Sequence, residues 1–325
     1  MGRLFAYLCG VVVLLGTIMA SSAWGAGLSY ERGTASGQPS VWTAAANGGQ
    51  PRRLAAGTGS KLSPNGRLVA FGGTNGGVFV YSSSGTFARK ISAGRTVLAW
   101  SPDSRYVALT GNGLIIFDVR TGKARRIARG TVFGASFAPR TPDRLVYGLG
   151  SSFTSPVNLY SVSANGINRK QLTTDGRSAN PVWGRLGIAF DRVTPRGTNA
   201  PAYQIYLLSG GQVRQITNLP PAPLLQDGLV PLAVAGGGVH LLAAYQGQDT
   251  DQAWTVNLKT GAARRITFRR GYVTPWGISR NGRRVLIQIG AFEGPASRGT
   301  VAAVPFGGGS GTVLVRHAAA PSWNR

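Results

Sequence analysis

The chain has 325 residues, with 35 Lys and Arg against 10 Asp and Glu, for a formal net charge of +25. Ten scattered acids argue against a site built on paired carboxylates, and one cysteine with two histidines argues against a zinc centre. Forty-eight glycines and the lack of any long amphipathic stretch after the first 25 residues exclude a helical bundle.

The chain opens on a leader. Arg3 supplies a positive start, Leu4 to Ile18 form an apolar run, and Ala23-Trp24-Gly25 offers small residues at a cleavage position. This pattern predicts a Sec-type signal peptide over residues 1–25, cut before Ala26, with an uncleaved membrane anchor as the alternative. Cys9, the only cysteine, lies inside the apolar run, so the mature chain carries none and is not a lipoprotein. Without disulfides its stability must come from a sizeable core, and 300 residues suffice for one.

From Ala26 onward short apolar runs alternate with Gly, Asn, Asp and Pro turns, which reads as strands throughout. Seven anchors recur: Trp42, Tyr81, Phe117, Tyr160, Tyr206, Trp254 and Val304. Each is followed 10 or 12 residues later by an apolar partner, from Leu54 to Leu314. Even spacing across a hairpin keeps both side chains on one face. The clearest module runs Val97 to Asp103, Tyr106 to Leu109, Leu114 to Phe117 and Ala124 to Ile127, four strands in one repeat. That is the arithmetic of a β-propeller blade.

The ends complete the pattern. Ala320-Pro321-Ser322-Trp323 is a first strand alone, while Leu28 to Arg32, Ser40 to Trp42 and Arg52 to Leu54 are a second, third and fourth. The expected fold is therefore an all-β, seven-bladed propeller over 26–325, with a six-bladed ring as the alternative. Pairing of the C-terminal strand with the N-terminal blade would close it and remove free sheet edges.

Trp100-Ser101-Pro102-Asp103 before Val107-Ala108-Leu109, the Ile-Tyr strands and the closing Arg-Arg-Ile resemble TolB-type propeller repeats. So do Phe190-Asp191-Arg192 and Tyr30-Glu31-Arg32-Gly33, and the resemblance covers residues 27–325. It implies a periplasmic propeller that docks a protein partner. The chain differs from that family in reading as seven modules rather than six, and in leaving no room for an α/β domain between Ala26 and Trp42.

Chemistry is sparse. His240 sits in the apolar run Val239 to Leu242 and reads as a sheet histidine, and no Gly-x-Ser-x-Gly elbow occurs. Asp249-Thr250-Asp251 lacks the Gly and distal Glu of a calcium loop, and Gly307 to Thr312 lacks the Lys of a phosphate loop. The expectation is a non-enzyme with no cofactor and no metal.

Two binding surfaces stand out. Long loops carry Asp191, Arg192, Arg196, Asp249, Asp251, Glu293 and Arg298, the candidate partner-binding face. Paired cations precede the last anchor of most modules, among them Arg52, Arg53, Arg125, Arg126, Arg264 and Arg265. These would ring the perimeter, either protecting outer strand edges or holding an anionic polymer. Stacking aromatics do not interleave with them, which disfavours nucleic acid. The reading is an exported monomer, periplasmic, wall-associated or extracellular. It has no membrane span once the leader is cut, and it recognises an envelope protein. An anionic envelope polymer is the alternative partner, and a glycan- or peptide-acting enzyme ranks third.

Overall fold

The computed structural model describes residues 25–33, 37–91, 95–152, 154–194, 202–220, 227–246, 252–268, 272–290 and 299–324. The predicted leader, apart from Gly25, lies outside the described residues. Everything described is strand, turn or loop except one 3-10 turn at Gly236–Gly238.

The strands form five four-stranded sheets and one eight-stranded sheet. We label the four-strand repeats A to G, each running from an inner to an outer strand. Blade A takes its inner strand, Ala319–Trp323, from the C-terminus and continues with Leu28–Gly33, Pro39–Ala44 and Arg52–Ala56. Blade B holds Thr58–Leu62, Leu68–Gly72, Val78–Ser82 and Phe87–Ile91. Blade C holds Thr96–Trp100, Tyr106–Gly111, Gly113–Asp118 and Lys123–Ala128. Blade D holds Thr131–Phe137, Arg144–Gly150, Asn158–Ser163 and Lys170–Gln171. Blades E (Ser178–Gly184, Gly187–Thr194, Ala202–Ser209, Gln212–Gln215) and F (Asp227–Ala235, His240–Gln246, Gln252–Asn257, Ala263–Arg265) share the eight-stranded sheet. Only two parallel pairs, Ala202 with Asp227 and Tyr203 with Gly228, join them. Blade G holds Tyr272–Ile278, Arg284–Gly290, Thr300–Pro305 and Thr312–Arg316.

Each inner strand touches the inner strand of the next blade, and that of G touches that of A. The apolar interior follows the same cycle. Val80, Ile91, Val97 and Leu109 fill the seam between B and C, and Leu28, Tyr30, Leu286 and Val301 fill the seam between G and A. Five further clusters occupy the remaining seams, so burial of each strand face depends on a neighbouring blade.

Local chemistry sets the turns. In Ser63-Pro64-Asn65-Gly66, Ser63 Oγ donates to Asn65 Oδ1 at 2.8 Å and accepts the Leu68 N–H at 2.9 Å. Ser279 and Asn281 repeat this in blade G, and Ser101 accepts the Tyr106 N–H in blade C. A side-chain cap of this kind fixes the hairpin between inner and second strands. In blade C the next hairpin is tighter: Gly113 has φ +105°, and a Cβ there would collide with the Ala128 carbonyl. We expect Gly113→Ala to cost about 2 kcal/mol or more, read as a lower urea midpoint with an unchanged slope.

Candidate functional site

All seven inner strands carry a β-bulge. The extra residues are Gly59–Ser60, Leu98, Gly134, Asn180–Pro181, Leu232, Trp276 and Ala320–Pro321. A bulge leaves its residue out of the ladder and turns its side chain. Gly59, Gly134, Asn180 and Ala320 take positive φ to achieve this. Ser60, Leu98, Leu232, Trp276 and Pro321 from these bulges line an axial channel of about 920 Å³.

The channel wall is aromatic and cationic. Trp100, Trp183, Trp276 and Trp323 line it, with Lys61, Arg185 and Arg280, and no Asp or Glu is among its described lining residues. Trp100 and Trp323 end inner strands and Trp183 is next to last in its own, and Trp100 is pinned there by its N–H donating to the Lys61 carbonyl at 2.9 Å. Trp276 and Leu232 differ. As bulge residues of adjacent blades they are each 37% exposed, an unusual exposure for side chains this apolar. No motif marks this site in the sequence, because its signal is a register shift between strands.

Of the residues expected on the loop face, the structure describes Asp191 and Arg192. Asp191 is not on a loop: it lies inside the second strand of blade E, 1% exposed, between Ala179 and Ile205. Arg192 is on the same strand, turned the other way. It forms an ion pair with Asp175 and lies over the rings of Phe190 and Tyr206, at 5.5 and 4.7 Å. The ladder runs on to Thr194, so the strand takes in positions expected to begin a loop. Arg196, Asp249, Asp251, Glu293 and Arg298 lie outside the described residues. The described residues therefore do not bring that constellation together.

The perimeter cations are on outer strands. Arg52, Arg53, Arg125, Arg126, Arg264 and Arg265 are exposed on the last strands of blades A, C and F. Some rim cations bond across seams: Arg52 donates to the Ser84 carbonyl, and Arg214 to the Leu258 carbonyl at 3.2 Å. His240 also bridges a seam. It stacks on Phe306 with centroids 4.2 Å apart, and its Nδ1 is 3.0 Å from the Gly282 carbonyl.

One position of the second strand ties blades together near the channel. Glu31 Oε1 in blade A accepts the Gly59 N–H of blade B at 2.6 Å. Burial raises the Glu31 carboxyl above the usual range, and the Gly59 and Ser60 N–H groups oppose that. Gln288, at the matching place in blade G, accepts the Ala320 N–H of blade A at 2.9 Å. Asp191 holds this place in blade E, yet neither of its oxygens has a hydrogen-bond partner of good geometry. Burial pushes it up to about 7, with the Asn180 amide pulling the other way.

No family model matches the sequence, and no curated protein does. Solved structures match it by shape. The β-propeller domain of the Trilobed protease from Pyrococcus furiosus aligns over 90% of this chain and 93% of that one, with TM-score 0.66 and 12% identity. TolB from Acinetobacter baumannii aligns over 93% of this chain and 67% of its own, with TM-score 0.56 and 15% identity. The fold is a TolB-like β-propeller. An oligogalacturonate lyase in complex with manganese is similar too, at TM-score 0.58 and 13% identity over 90% and 86% of the two chains. The propeller thus resembles TolB and propellers of enzymes alike, and activity has to be argued from its own residues.

Proposed function

We propose that this propeller is an exported, non-catalytic binding protein of the cell envelope, seven-bladed, that receives a protein partner at its axial channel. The observation that carries the reading is the exposure of Leu232 and Trp276 in a channel with three cations and no acid among its described lining residues. A partner would offer an apolar anchor flanked by carboxylates, the pairing that places aromatic and Arg residues at the energetic centre of interfaces. The leader pattern of residues 1–25 supports export, and the TolB-like fold fits a scaffold.

Retention of the purified protein on isolated envelope material tests this, with crosslinking at Trp276 to name the partner. Trp276→Ala should weaken retention at least tenfold while leaving the unfolding free energy within about 0.5 kcal/mol. Unchanged retention would sink the channel reading.

The exposed rim cations favour a second reading, an anionic envelope polymer held at the perimeter. Here retention should fall steeply and linearly in a log–log salt series, with Arg125→Gln and Arg126→Gln together flattening the slope. A slope indifferent to those changes would remove the rim from consideration.

A further inference from the structure

The shared second-strand position isolates one seam of the ring. At A to B the acceptor is Glu31 and the donor is the bulge amide of Gly59; at G to A they are Gln288 and Ala320. At E to F the acceptor is present, as Asp191, but the donor is not. Blade E's second strand packs against the inner strand of blade F, whose bulge at Leu232 follows Pro231. Pro231 stands where Gly59 stands in blade B, and proline has no N–H to give. The bulge of blade E's own inner strand is Asn180–Pro181, so a second potential donor is lost in the same way.

Among the described residues, the strands packed against Asp191 offer no counter-charge on that side. Blade E's inner strand has no titratable residue, its third strand has Tyr203 and Tyr206, and blade F's inner strand has Asp227. The adjacent Arg192 points to the opposite face, where it is engaged by Asp175 and two aromatic rings. Ionised, the Asp191 carboxylate is buried with no hydrogen bond of good geometry, and only the Asn180 amide opposes that cost. Protonated, it is a small polar group between Ala179 and Ile205 that an apolar seam tolerates far better.

We propose that the proton on Asp191 controls the seam between blades E and F: the neutral acid closes it, and ionisation loosens it. The inner strand on the far side of this seam carries Leu232, one of the two exposed apolar groups of the channel. Proton loss would then alter how blade F presents Leu232, a consequence that rests on the channel being the binding site. The seam itself does not depend on that reading.

Hydrogen exchange of the purified protein at pH 5.5, 7 and 8.5, corrected for intrinsic exchange, tests the proposal. Amides of Gly187–Thr194 and Asp227–Ala235 should lose at least tenfold protection in wild type as pH rises, while those around Glu31 and Gln288 hold. Asp191→Asn should abolish the change. An equal pH response in wild type and Asp191→Asn, or none in wild type, overturns the proposal. If the variant does not fold, carboxyl-carbon NMR of wild type decides. A titration of Asp191 near neutrality supports it, and one in the ordinary carboxylate range ends it. Loss of retention in Trp276→Ala says nothing about the seam, so the two ideas fail separately.

Discussion

Asp191→Asn is expected to stabilise the folded protein at pH 8 and to leave its stability unchanged near pH 3.5. Burial raises the folded-state carboxyl to about 7, above the ~3.9 of an unfolded chain. The folded state therefore binds this proton more tightly than the unfolded state does. Its stability is full below the unfolded value, declines between about 4 and 7, and stays lowered above that. A gap of about three pH units at ~1.4 kcal/mol each sets a ceiling of about 4 kcal/mol for the cost of ionisation. Local relaxation and water entry make about 2 kcal/mol the expected gain in the asparagine variant. Urea midpoints of the two proteins at both pH values measure it, and parallel pH profiles would refute it. The direction is unusual, since removing a charged residue from an interior partner network normally destabilises.

Deleting residues 319–325 should be more damaging than any single substitution named above. The lost strand pairs with Leu28–Gly33, covers Leu28 and Tyr30, accepts the Leu62 N–H through Ser322 Oγ at 3.1 Å, and gives the Ala320 N–H to Gln288. Two interblade hydrogen bonds at about 1 kcal/mol each, a stretch of ladder and the Trp323 contacts add to about 5 kcal/mol or more. The deletion also bares the edge of the second strand of blade A, which invites pairing with another chain. Size-exclusion chromatography and thermal melts should show aggregation and a melting temperature at least 15 °C lower. A truncated monomer with a native melt would show that the C-terminal strand is dispensable.

Much of the architecture was legible because a propeller repeats its chemistry. Trp100-Ser101-Pro102-Asp103 and its relatives announce the hairpin between inner and second strands, and the side-chain caps of Ser63, Ser101 and Ser279 are the physical content of that motif. The split blade was readable from Ala320 to Trp323, a first strand with no successor, and that strand pairs with Leu28–Gly33. The site was harder to see. Bulges are defined by two strands together, so Leu232 and Trp276 look like ordinary strand residues until their partners are known. Asp191 misled in the opposite sense. An acid followed by an arginine reads as solvent-facing, and only the cross-strand neighbours Ala179 and Ile205 show that the two side chains part company.

The division of the apolar interior among separate seams between blades bears on how such a chain can diverge. A substitution in the cluster of Val80, Ile91 and Val97 disturbs blades B and C and no others. Damage is contained, and its repair needs a compensating change in one neighbour rather than across a common centre. Each interface can therefore drift on its own schedule. A propeller shape can thus persist while the sequence of any one seam changes.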